Sequence, residues 1–159
     1  MKSFVDVGLE HAFDIRVFFG EDRTIFGPLP GSSTHQGYTP PIGGEITGPL
    51  LQGEVVPHSG ADYATVRADG TIELRAHYLL KATDGTLIYI NNLGYLNKAE
   101  EGREEVNEQG LTQPSYFRMT PYFRCPEGPH DWLTRTCIVG GGERRTDPDH
   151  SVFRYYKVK

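Results

Sequence analysis

Between Ile72 and Lys81 the chain alternates strictly. Ile72, Leu74, Ala76, Tyr78 and Leu80 fall on one face, and Glu73, Arg75, His77 and Lys81 on the other. A helix does not keep a period of two, so this is a strand with one apolar face. Asp69-Gly70 and Asp84-Gly85 bracket it, and each predicts a tight type I′ hairpin with both central residues at positive φ. Phe13, Ile15, Val17 and Phe19 mark an earlier strand whose other face carries Asp14, Arg16 and Phe18. Further strands are predicted near 45–56, 62–68, 86–92, 115–124, 131–140 and 151–158, with Gly140-Gly141-Gly142 and Asp147-Pro148-Asp149 as the turn between the last two. Residues 20–41 hold too many Gly, Pro and Ser for regular structure and read as a long loop covering a mouth. Leu96–Gln109, with five Glu and little to bury, predicts a solvated helical excursion near 97–109. A continuous antiparallel meander must cover its edges or close. The expectation is all-β: one antiparallel β-barrel domain spanning 1–159.

Composition agrees with that pattern and narrows the function. The 159 residues include 19 Gly and 11 Pro, a turn-rich balance that suits a barrel. No run of about eighteen apolar residues occurs, so no membrane-spanning helix is expected. The N-terminus reads as no secretory leader, which points to the cytoplasm. In that setting Cys125 and Cys137 are expected as buried free thiols. A net charge of −5 speaks against nucleic-acid partners and anionic membranes. The six histidines have no ligand spacing, and there is no nucleotide-binding glycine motif, GxSxG elbow or HExxH. Neither metal nor cofactor is expected.

The polar residues then carry the question. Asp62 opens a strand after Ser59-Gly60-Ala61, either as a turn cap or as a proton acceptor. Glu73, Arg75 and His77 form an ordinary charged ladder if they face out, and an arginine-anchored acid–base set if they face a cavity. Tyr116, Arg118 and Tyr122 share one face of their strand, with Phe117, Met119 and Phe123 on the other. Rings interleaved with a guanidinium suit a planar, oxygenated ligand, and also suit packing between strands. Arg16, Tyr38, Asn92 and Trp132 are further candidates for ligand contact, as is Phe123.

Two stretches, GGEITGPLLQGEVVPHSGADY and RADGTIELRAHYLLKATDGTLIYINNLGY, followed by YFRMTPYF and DWLTRTCIVG, resemble the bacterial and fungal family catalogued as domain of unknown function 3237. The resemblance spans about residues 40–158. It implies a single β-barrel similar in architecture to lipocalin and allene-oxide-cyclase barrels. Some fungal members are associated with phenolic natural products, including chalcone-to-flavanone isomerisation. Carried over by position, the resemblance picks out Asp62, Asn92, Gly94, Tyr116, Arg118 and Trp132. The chain departs from the pattern at Arg75 and His77, where the family tends to show Asp and Arg. It departs also at Tyr38, near a usual Arg, and at Tyr63, where Trp is usual.

The expected function is therefore a cofactor-free isomerase or cyclase acting by proton transfer on a small aromatic or polyketide-like ketone in secondary metabolism. Asp62, His77, Tyr116 and Arg118 are the candidate catalytic residues. A barrel that carries or senses a lipophilic small molecule is the alternative. Partnership with nucleic acid or membrane is not expected, and a homo-oligomer is left open.

Overall fold

The computed structural model describes residues 3–159. Its strands form one antiparallel sheet: β1 (Leu9–Phe19), β2 (Thr24–Phe26), β3 (His35–Tyr38), β4 (Pro41–Thr47), β5 (Gly53–Val55), β6 (Ala61–Asp62), β7 (Thr65–Val66), β8 (Ile72–Ala82), β9 (Leu87–Asn97), β10 (Tyr116–Arg124), β11 (Ile138–Arg145) and β12 (His150–Val158). The order β8-β5-β4-β1-β12-β11-β10-β9 returns to β8 through the long β8–β9 hairpin, closing an eight-stranded barrel. One edge of β8 is covered piecewise: β5 pairs with Leu80–Ala82, β6 with Ala76 and His77, and β7 with Ile72 and Glu73. β7 continues to β3 and β2, which extend the wall at that end of the barrel. No helix among the described residues is long and apolar enough to cross a membrane.

The alternating faces sort as the residue pattern requires. Phe13, Ile15 and Val17 of β1, Leu74, Tyr78 and Leu80 of β8, and Phe117, Met119 and Phe123 of β10 are buried inside. One end of the barrel is packed solid, with Phe13, Tyr155, Phe123, Ile90 and Leu80 in one apolar cluster. The Phe13 ring meets Tyr155 at 5.2 Å and Phe123 at 6.1 Å. Two glycines of β11 make room for rings: a Cβ on Gly140 would lie 2.8 Å from Tyr155, and one on Gly142 would lie 2.7 Å from Phe117.

Six local expectations need correction. The excursion at 97–109 is not helical: β9 runs on to Asn97, and the segment that follows is turns with one bridge from Val106 to Thr112. Its glutamates find no apolar face to fold onto. The 20–41 stretch is not a bare loop, since β2 and β3 pair within it. Asp131–Thr134 is a 3₁₀ turn, and the strand begins only at Ile138. Gly140–Gly142 lie inside β11 rather than in a turn. In both Asp-Gly turns only the glycine is at positive φ, 87° at Gly70 and 90° at Gly85. The Gly70 N–H donates to Arg67 O and the Arg67 N–H to Thr71 O, which makes a type I turn with a glycine bulge. Each Asp instead accepts a backbone N–H two residues on, Thr71 to Asp69 and Thr86 to Asp84. That bond chiefly holds the Asp84 carboxyl down at about 2, with His130 beside it helping. Both cysteines are free, Cys125 half-buried but Cys137 exposed.

Candidate functional site

A cavity opens inside the barrel at the β2–β3–β7 end. The cavity there has a volume of about 230 Å³. Val17, Ile72, Leu74, Phe117 and Phe153 give it apolar walls, and Asp62, Tyr78, Asn92, Arg144 and Ser151 supply its polar groups. That volume lies below the usual range for small-molecule pockets, so a ligand held wholly inside is small.

Asp62 is brought here by the broken edge of β8. Its N–H donates to Thr39 O and its C=O accepts from the Thr39 N–H, both at 2.9 Å, and its Oδ1 accepts the Arg75 N–H at 3.0 Å. Gly60 makes this approach possible, because a Cβ there would sit 1.9 Å from His77 O. The carboxylate makes no ion pair among the described residues. Burial pushes its pKa up from 3.8 to about 6, only partly offset by the Arg75 N–H. The same burial, with the Asp62 charge nearby, lifts the Tyr78 phenol well above its ordinary value. Tyr78 Oη and Asn92 Oδ1 are buried without a hydrogen-bond partner among the described residues. Asn92 is 2% exposed. A buried polar atom left unpaired costs free energy, and at a cavity wall it is a ready contact for a ligand.

Arg144 stands at the mouth. Its Nη1 donates to Ser151 Oγ at 2.6 Å, its guanidinium pairs with Asp149, and it lies 5.4 Å over the Phe19 ring. Arg23 shares the same Asp149 carboxylate. Two guanidinium groups on one carboxylate leave a net positive charge beside an apolar cavity.

The candidate residues divide between two places. Asp62 and Asn92 line the cavity. Tyr116, Arg118 and Arg75 face outward into a separate groove on the barrel wall, of about 1120 Å³. His77 also faces outward, between a tilted Tyr63 ring at 5.5 Å and an edge-on Tyr89 ring at 6.2 Å, and Tyr38 continues that row 5.7 Å from Tyr63. Arg16 lies outside, near His150 and Glu45. Phe123 belongs to the packed core, and Trp132 packs against that end with the Lys157 ammonium 5.7 Å from its ring. Tyr78, Arg144 and Ser151 escaped sequence reasoning. Tyr78 looked like one more apolar-face residue, and Arg144 followed glycines that read as a turn. Only the alternation counted forward from Ile138 would have turned Arg144 inward.

A family profile described as "Protein of unknown function (DUF3237)" matches residues 7–158. The chain belongs to this family. A UPF0311 protein of Clostridium acetobutylicum is 32% identical over 121 residues, 75% of each chain. Among solved structures, a β-barrel-like protein of Acinetobacter baumannii superposes with a TM-score of 0.83 at 24% identity, covering all of both chains. The structure of an enzyme from Penicillium herquei superposes with a TM-score of 0.71 at 19% identity, covering 100% of this chain and 99% of its own.

The unpartnered Asn92 Oδ1 gives a direct check on the cavity. Asn92→Leu should leave the melting temperature unchanged or raise it, because an unpaired buried amide is exchanged for an apolar side chain of similar size. Ligand binding, followed by calorimetry, should weaken at least about tenfold. A fall in stability would mean that the amide already has its partners.

Proposed function

We propose that this protein is an isomerase or cyclase that works by proton transfer, without a cofactor, on a small aromatic or polyketide-like ketone held in the barrel cavity. The observation that carries the reading is Asp62: a half-buried carboxyl on an apolar cavity, with no ion pair among the described residues, whose pKa desolvation raises to about 6. Such a group is poised to accept and return a proton near neutral pH. In a hydroxyaryl enone, Asp62 would take the phenol proton and the freed oxygen would add to the β-carbon. Electron density then moves to the ketone oxygen, the Arg144 guanidinium offsets that charge, and Asp62 returns its proton to the α-carbon. One O–H and one C=C π bond are lost, one C–O and one C–H bond form, and nothing is consumed. That the Penicillium herquei barrel is an enzyme supports a catalytic use of the architecture.

A carrier reading draws on the mostly apolar walls. The two part on turnover of 2′-hydroxychalcones, followed by loss of the enone absorbance. The enzyme reading expects kcat/KM to rise with pH through a midpoint near 6, as Asp62 ionises, and to be indifferent to chelator. Arg144→Gln should lower kcat about 10²-fold, the usual scale for losing an oxyanion partner. Tight binding with no turnover of any small hydroxyaryl ketone would favour the carrier.

A further inference from the structure

The outward groove is not used by the cavity. Among the described residues its lining holds four tyrosines, four arginines and two glutamates, with no lysine or aspartate. That bias, aromatic and arginine-rich without lysine, is the mark of a protein–protein contact rather than of an ordinary solvated sheet face. Tyr95, Tyr116 and Tyr122 are all exposed. Three of the arginines already have carboxylate partners: Arg75 with Glu73, Arg145 with Glu143 and Arg154 with Asp14. Arg118 has none among the described residues. It donates to its neighbour Phe117 O and lies 6.0 Å over the Tyr116 ring. It rests flat against the wall because position 141 is glycine, where a Cβ would come 3.1 Å from its Nη1.

A matching surface exists on the same molecule. Residues 3–8 belong to no strand, and Val5 and Val7 are 87% and 74% exposed, followed by Leu9 at 60%. Leu9 itself lines the groove, so the apolar segment and the groove are continuous. The segment carries Asp6, and Glu10 follows it, with no cation between residues 3 and 10. An extended run of six residues spans about 20 Å, close to the roughly 19 Å that four strand spacings measure across the wall. Yet the segment does not lie across its own groove, since Val5 and Val7 stand in solvent.

We infer that the groove receives the 3–8 segment of a second copy of this chain, in a two-fold dimer in which each copy inserts its segment into the other. Val5 and Val7 cover the exposed tyrosines, and Asp6 supplies the carboxylate that Arg118 lacks. The inference stands apart from the cavity chemistry.

Sedimentation velocity and light scattering of the full chain test it. The expected mass at micromolar concentration is twice the 17.8 kDa of one chain. Val5→Asp/Val7→Asp alters only exposed side chains of the segment. Arg118→Glu/Tyr122→Asp alters only outward side chains of the groove. Each double variant should keep the wild-type circular dichroism and raise the dimer Kd at least about tenfold. Mixing the two should restore a dimer, because the intact segment of one then meets the intact groove of the other. A monomeric wild type at 100 μM or so, a dimer indifferent to both variants, or a mixture that stays monomeric would each overturn the inference. The last outcome would leave groove-to-groove contact or self-docking instead.

Discussion

Asp62→Asn is expected to end turnover while making the protein more stable at pH 8. The folded carboxyl titrates near 6 against an ordinary 3.8, the direction in which burial disfavours the charge. Below pH 3.8 both folded and unfolded forms are protonated, and burial of the neutral acid costs little. Between 3.8 and 6 the unfolded chain has released its proton while the folded one holds it, so stability declines as pH rises. Above 6 the loss is complete, about 3 kcal/mol at 1.36 kcal/mol for each pH unit of displacement. The amide keeps an Oδ1 for the Arg75 N–H but never ionises. At pH 8 the variant should therefore melt roughly 6–12 °C above wild type, and at pH 4 the two should nearly coincide. Turnover should fall by 10²–10⁴-fold, the usual share of a positioned base. Calorimetry at the two pH values checks the first part. A variant less stable at pH 8 would mean that Asp62 is held by a cation or bound group and has no raised pKa.

The second large effect is at Gly60. A methyl group there would overlap His77 O at 1.9 Å and Tyr78 Cα at 2.9 Å, both backbone atoms that no rotamer change can move. Gly60→Ala should cost at least about 2 kcal/mol, a fall of roughly 4–8 °C in melting temperature. Gly44→Ala is a parallel case, with its Cβ landing 2.0 Å from Arg16 O. Any Gly60→Ala protein that still folds should also have lost activity, since β6 can stay on β8 only by displacing Asp62. Unchanged melting at both positions would show that these strands pack less closely than described.

How much of this was legible in the sequence follows from what alternation encodes. A period of two separates faces, and for β1, β8 and β10 it named the inward residues correctly, down to the pairing of Phe117, Met119 and Phe123. It does not say which polar residues meet across the barrel. Asp62 was visible as a carboxylate after a glycine turn. Tyr78 and Arg144, which line the same cavity, lie on strands 16 and 82 positions further along, and closure of the ring alone brings them near. The Tyr116–Arg118 face was visible too, but only the burial of Phe117 shows that it looks away from the cavity. The helix expected at 97–109 rested on acidic composition, which marks solvation and not a backbone state.

The divided edge of β8 has a dynamic consequence. β1, β8, β9 and β12 are held by long ladders, broken only by a bulge between His11 and Phe13 in the β1–β12 pair, whereas β6 and β7 contribute two residues each. Free energies of local opening follow the number of bonds that must break together. The β2–β3–β7 end can thus part from β8 as a small cooperative unit while the eight-membered ring stays shut. In hydrogen exchange its amides would lose protection by fluctuation, long before those of the β1–β12 ladder exchange by global unfolding. Under the proposed function, a ligand would enter and leave by the unfastening of a few residues at one end, without spending the stability of the rest.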